Sequence, residues 1–238
     1  MKPKLTAAVI VAGGSGERLG LPGGKQLALV HGRPVLSWTL AAFDACPEVG
    51  LIVVVCHPDR VPEFQRTAVD PLGPSTPVLF AAGGQTRQDS VASGIATLSP
   101  DVGTVLVHDG ARPLVTPGLI SDALAAFAAA DRADGLVVGY PSIDTLKVVD
   151  GITVRETPDR SHYWAVQTPQ VFSAATLKAA YDAAAADGFL GTDDASLVER
   201  SGGVVVVFEG PRDNIKVTVA EDLSFVEAAL RFREGEHS

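Results

Sequence analysis

The chain is predicted to fold as a doubly wound α/β protein around a mostly parallel sheet. Three observations carry that expectation. Strand-like and helix-like segments alternate through the first 140 residues. The strand-like runs are apolar at consecutive positions, as parallel strands covered on both faces must be. A chain of 238 residues with 46% apolar side chains, 24 Gly and 16 Pro also suits a compact α/β core with many tight turns.

The candidate strands are Leu5–Ala12, Gly50–Cys56, Val78–Phe80, Thr104–His108 and Gly135–Gly139. Between them Pro34–Asp44, Pro58–Val69, Arg87–Leu98 and Pro117–Ala130 have the composition and apolar spacing of helices. The alternation then breaks. Residues 141–165 hold two short β-prone pieces, Thr145–Val149 and Ile152–Glu156, joined by the turn dipeptide Asp150-Gly151. An isolated two-stranded ribbon is marginal in water, so this arm is expected to pack on a second copy of the chain. Helices near Ala174–Ala186, Asp194–Arg200 and Ala220–Arg233 and a strand at Val204–Phe208 complete the pattern. With no internal repeat or low-complexity linker, residues 1–238 read as a single domain with a projecting arm at 141–165.

Charge and segment composition exclude several classes. Lys plus Arg total 19 against 28 Asp plus Glu, a formal charge of −9, which argues against a nucleic-acid surface. An anionic ligand must then be held by local cations. No apolar run approaches the roughly 20 residues of a membrane span. The first apolar stretch runs straight into glycines and reads as a strand, not a signal peptide. Cys46 and Cys56 form no CxxC and no metal cluster; they are expected as buried free thiols in a cytoplasmic protein.

In a doubly wound sheet ligands bind beyond the carboxyl ends of the strands, so the loops there carry the functional argument. The first, AGGSGERLGLPGGKQ at 12–26, contains Gly14-x-Gly16 and then Gly20. The third glycine is one position late for a dinucleotide fingerprint, and Pro22 blocks a long helix starting there. Lys25 is followed by Gln26, so it is not a Walker loop either. What remains is a glycine-rich loop whose N–H groups can approach phosphate oxygens, with Arg18 and Lys25 to neutralise charge. A tight turn with surface cations would look similar. The second loop, HDGARP at 108–113, puts Asp109 at a strand tip, where it could hold Mg²⁺ with phosphate oxygens or pair with Arg112. His108 reads as a packing residue. The third, GGQTRQDS at 83–90, opens a helix and offers backbone groups and Ser90 to a base or sugar.

Taken together, AGGSGERLG with KQ at 25–26, GGQTRQDSV at 83–91, HDGARP at 108–113, DTLK at 144–147, TPDRSHYWAVQTPQ at 157–170, TDDASLVE at 192–199 and DNIKVT at 213–218 resemble the 2-C-methyl-D-erythritol 4-phosphate cytidylyltransferase family of the non-mevalonate isoprenoid pathway. The resemblance covers nearly the whole chain and implies a Rossmann-like nucleotidyltransferase sheet with a β-hairpin dimerisation arm. It implies catalytic roles for Arg18, Lys25, Arg160 and Lys216, and nucleotide contacts from Ala12, Gly13, Gly14, Gly16, Gly84, Ser90 and Asp109. Asp109, Arg112, Thr145, Arg160, Thr168 and Lys216 would bind the methylerythritol phosphate, with Asp109 also the Mg²⁺ ligand. Thr145 and Arg160 lie on the arm, which in this family reaches the partner subunit's site, so a homodimer is implied. Gly13 and Gly110 stand where the family more often has Ala, and Gln85 replaces an acidic residue.

The chemistry implied is in-line attack of the substrate phosphate on the α-phosphorus of CTP. A phosphate monoester has its second pKa near ~6, so the nucleophile is already ionised and no general base is needed. Alignment and electrostatic stabilisation would then carry catalysis. The competing readings are a sibling enzyme acting on D-ribitol 5-phosphate, an NAD-dependent dehydrogenase and a non-catalytic nucleotide-binding module.

Overall fold

The computed structural model describes residues 4–14 and 24–235. Strand β1 (Leu5–Val11) leads through two short strands, β2 (Leu29–Val30) and β3 (Arg33–Pro34), into helix α1 (Val35–Asp44) and strand β4 (Val49–Cys56). Pro58–Val69, expected as one helix, instead breaks into a tight turn at Pro58–Arg60, the short helix α2 (Val61–Phe64) and a wider turn at Gln65–Val69. Pro62 explains the break: it has no N–H to continue the ladder and its ring crowds the preceding turn. Next come β5 (Val78–Ala82), α3 (Arg87–Ala96), β6 (Val102–Asp109), α4 (Pro117–Ala129) and β7 (Gly135–Pro141). Side chains mark the helix starts locally. Thr86 and Asp89 form a capping box on α3, and Thr116 accepts from the Leu119 N–H with Pro117 beginning α4.

After β7 the strands β8 (Val148–Asp150) and β9 (Thr153–Glu156) pair into an antiparallel ribbon. Asp150 pairs with Thr153, so the link is Gly151-Ile152, and Gly151 takes a φ of 58°. Every residue of both strands is exposed. Then follow β10 (Trp164–Ser173), α5 (Ala174–Asp187), α6 (Asp194–Arg200), β11 (Val205–Glu209) and α7 (Ala220–Gly235).

The central sheet has seven strands in the order β11-β7-β10-β6-β1-β4-β5. β1 pairs parallel with β4 and β6, β4 with β5, and β7 with β11. β10 runs antiparallel between β6 and β7. The sheet is therefore doubly wound and mostly parallel, with one strand the sequence reading had not placed. Along β1, Ala8 and Ile10 face one cluster, with Leu36, Leu40 and Phe43 of α1 and Ile120 of α4. Ala7 and Val9 face the other, with Val91 of α3, Leu177 of α5 and Val198 of α6. Burial on both faces is why the strand sequences show no apolar alternation. A third cluster joins Val226 and Leu230 of α7 to Ala111, Leu114 and Val217, tying the C-terminal segment to the loop after β6. Cys46 and Cys56 are buried free thiols, and no described helix is long and apolar enough to cross a membrane.

Candidate active site

The order of the strands places the site. The chain leaves β1 toward β4 and β5, then returns across to β6 on β1's other side. Their carboxyl ends lie side by side, Val11 opposite Asp109, and the Gly110 N–H donates to Val11 O at 2.9 Å. A cavity of about 400 Å³ opens there, walled by Gly13, Gly14, Lys25, Gly84, Ser90, Asp109 and Lys216 among others. A second cavity of about 390 Å³ lies alongside, walled by Arg112, Thr168, Gln170 and Asp193 with Trp164. Arg87, Asp109 and Lys216 line both, so the two chambers share a charged partition.

That partition is an ion cluster centred on Asp109. Lys216 Nζ lies 3.0 Å from Oδ2, Arg112 Nε 3.5 Å from Oδ2 and Arg87 Nε 3.5 Å from Oδ1. Burial alone would raise the carboxyl pKa, but Lys216, Arg87 and Arg112 outweigh it and hold it well below the ordinary carboxylate range. Each cation is fixed from elsewhere in the chain. The Val217 N–H donates to Ala111 O at 2.8 Å, which sets Lys216 beside Asp109, and Arg112 Nη1 donates to Asn214 O at 2.7 Å. Next to the cluster, His108 packs 5.0 Å from the Phe43 ring, and neither ring nitrogen makes a well-formed hydrogen bond among the described residues. Burial lowers its pKa to about 3, so it is neutral and apolar in function, as a packing residue should be.

The loop at 83–86 is shaped by the α3 start. Ser90 Oγ accepts from the Gly84 N–H at 3.0 Å and donates to Thr86 O at 2.9 Å. A Cβ at Gly84 would sit 2.2 Å from Asp89 Cβ, so only glycine permits this close return. Among the described residues a Cβ at Gly13 would meet nothing nearer than Val55 O at 3.8 Å, so the departure from alanine meets no conflict with them. Ala12 is buried behind the wall, its N–H donating to Val55 O at 2.8 Å.

The structure thus gathers Gly13, Gly14, Lys25, Gly84, Ser90, Asp109 and Lys216 at one chamber and Arg112 and Thr168 at the other. Thr145 and Arg160 line neither. Both are exposed, and Arg160 donates to Ile143 O. Gly16 and Arg18 lie outside the described residues. Among those described, no three His, Cys, Asp or Glu side chains group as a metal cage. Asp213 is engaged by Arg233 at 2.8 Å. Among the described residues Asp109 alone brings a carboxylate to the first chamber, which fits a metal held mainly by substrate phosphates, since Mg²⁺ accepts one or two carboxylates and keeps other oxygen ligands.

Sequence reasoning passed over Arg87 and, apart from Thr168, the polar floor laid by β10. Thr168 Oγ1 accepts from the Asp109 N–H at 3.1 Å, Gln167 Nε2 donates to Pro211 O at 3.1 Å, and Gln170 Nε2 donates to Asp193 Oδ2 at 2.8 Å. One signal was available for Arg87: a cation in the first turn of a helix opposes the dipole and calls for anionic partners elsewhere.

A family model described as "IspD: 2-C-methyl-D-erythritol 4-phosphate cytidylyltransferase" matches residues 6–232. The chain is 39% identical over 226 residues to the 2-C-methyl-D-erythritol 4-phosphate cytidylyltransferase of Geotalea uraniireducens, covering 94% of this chain and 96% of that one. Among solved structures, the 4-diphosphocytidyl-2C-methyl-D-erythritol synthase of Anaerococcus prevotii superposes with a TM-score of 0.84 at 29% identity, covering 96% and 97% of the two chains. The 2-C-methyl-D-erythritol 4-phosphate cytidylyltransferase of Thermus thermophilus gives 0.74 at 34% identity, covering 94% and 98%.

Proposed function

The chain belongs to the 2-C-methyl-D-erythritol 4-phosphate cytidylyltransferase family, and from that premise we propose how its residues divide the reaction between them. The enzyme transfers the cytidylyl group of CTP to 2-C-methyl-D-erythritol 4-phosphate, giving 4-diphosphocytidyl-2-C-methyl-D-erythritol and pyrophosphate. An oxygen of the substrate phosphate bonds to the α-phosphorus. The bond from that phosphorus to the bridging oxygen of the β-phosphate breaks, and pyrophosphate leaves with the electron pair.

The observation that carries the assignment of roles is the pair of adjoining chambers with one charged partition. Gly13, Gly14 and the Gly84–Ser90 loop are assigned to the nucleotide, with Ala12 and Gly16 completing its backbone cradle. Lys25 and Arg18 stabilise charge building on the α-phosphate and the leaving pyrophosphate. Lys216, Arg112 and Thr168 hold the incoming phosphate and polyol from the second chamber, with Asp109 available to hydroxyl groups. Mg²⁺, when bound by Asp109 and the triphosphate oxygens, adds charge neutralisation that the protein's cations alone would otherwise supply.

The first test is pyrophosphate release from CTP. Release is expected with methylerythritol phosphate and Mg²⁺, to stop on chelation by EDTA, and to be far slower with D-ribitol 5-phosphate. No release with methylerythritol phosphate would sink the reading.

Residues 1–238 are proposed to act as one catalytic unit whose arm, 141–165, delivers Thr145 and Arg160 to the site of a second copy. The exposure of Val149, Ile152 and Val154 on an otherwise marginal ribbon supports this. Mixing the impaired Lys25→Ala and Arg160→Ala proteins under subunit exchange should raise activity well above that of either alone, because one site of each heterodimer then holds both residues. Verified heterodimers without that gain would argue against shared sites.

A further inference from the structure

Arg87 opens α3 in an electrostatically unfavourable place, yet two buried carboxylates account for it. Its Nη2 lies 2.7 Å from Asp194 Oδ2 and its Nε 3.5 Å from Asp109 Oδ1. Asp194 is completely buried at the start of α6, and its other oxygen accepts from the Tyr181 hydroxyl of α5. The α6 start is itself pinned to β10, where Gln170 accepts from the Ala195 N–H at 3.2 Å and donates to Asp193. Four elements outside α3, namely α6, α5, β10 and β6, therefore hold the Arg87 guanidinium in place. Burial would weaken its charge, but Asp194 and Asp109 more than reverse that, and it stays cationic.

We propose that Arg87 is a further cationic group of the reaction centre, and that Asp194 is the positioning residue that aims it at the boundary between the two substrates. This rests on the cytidylyl-transfer reading above. Arg87 lines both chambers, as the site of bond exchange must be reachable from both. With Nη2 committed to Asp194 and Nε facing Asp109, Nη1 takes part in neither contact and, among the described residues, leaves N–H groups for a phosphate oxygen. A guanidinium fixed before substrate arrives needs no reorganisation as charge builds on the equatorial oxygens, which is the condition for a large effect on turnover. A lysine there would keep the charge and lose the fork that engages Asp194 and a phosphate together.

The test compares wild type, Arg87→Lys, Arg87→Ala and Asp194→Asn by steady-state pyrophosphate release, varying each substrate, with thermal melts run alongside. The expected result for Arg87→Lys and Asp194→Asn is a kcat roughly 10- to 100-fold lower, with both KM values within about threefold of wild type. Arg87→Ala should lose more than Arg87→Lys. A pair that only fastens α3 to α6 would lower the melting temperature and leave the kcat of folded protein unchanged. That outcome, or an effect confined to KM, overturns the proposal. If Asp194→Asn does not fold, Arg87→Lys decides alone, since it leaves Asp194 a cationic neighbour. Wild type without pyrophosphate release would instead overturn the functional assignment, so the two failures are distinguishable.

Discussion

Replacing Lys25 with alanine is expected to cut turnover by about a hundredfold, the usual loss when one preorganised charge contact to a transition state is removed. Lys25 is half-buried on the wall of the first chamber, beside Gly14 and Gln26. Truncation removes its aliphatic stem and a charge interaction with Asp222, so the folding free energy should change by about 1 kcal/mol at most, small beside the catalytic effect. The two quantities therefore separate, with kcat falling while the melt barely moves. A folded Lys25→Ala protein turning over at nearly the wild-type rate would remove Lys25 from the mechanism.

Asp109→Asn is expected to be the most damaging single change to the fold among the site residues. The substitution keeps the shape and removes the charge that Lys216, Arg112 and Arg87 all face. Arg87 keeps Asp194, but Arg112, largely buried, loses its carboxylate partner. Breaking a buried pair in this way costs about 3–5 kcal/mol. At about 2–4 °C per kcal/mol for a chain of this size, the melting temperature should drop by about 10 °C. Added pyrophosphate should recover part of the loss by supplying an anion to the stranded cations. An unchanged melting temperature would mean that the cluster contributes nothing to stability. The same pairing sets an acid limit in the wild-type protein. Asp109's pKa is lower folded than unfolded, so the unfolded chain binds the proton more readily. Its contribution is therefore complete above the unfolded carboxylate pKa of about 4 and is lost as pH falls toward the folded value. In Asp109→Asn that part of the acid dependence should be absent.

Much of this molecule was legible locally. Apolar runs such as Leu5–Ala12 and Gly50–Cys56 read as strands covered on both faces, and the structure has them at Leu5–Val11 and Val49–Cys56, while Thr86, Thr116 and Asp193 are local capping residues at helix starts. The loops carrying Gly13, Lys25, Gly84 and Asp109 followed from the rule that ligands sit beyond the strand ends. β10 was illegible for a physical reason. Its middle, Gln167-Thr168-Pro169-Gln170, looks like a turn because strands seldom bury amides or a proline. These residues are buried here because each amide or hydroxyl has a partner from another element: Pro211, Asp109 or Asp193. The polar strand is the floor of the site, and local preference gives way where function demands it.

From its own residues the chain determined a doubly wound α/β architecture, the glycine-rich loops and the cations that answer a triphosphate. Which charges would meet was decided by strand order. Arg87, Asp109 and Lys216 lie far apart in sequence, and they converge only because β1 and β6 end side by side while Val217 is hydrogen-bonded to Ala111. The fully buried Asp194 reaches Arg87 across 107 residues, a contact no local pattern encodes. Propensity and periodicity act over a few residues, whereas an ion cluster is assembled by packing of the whole sheet and the layers that cover it.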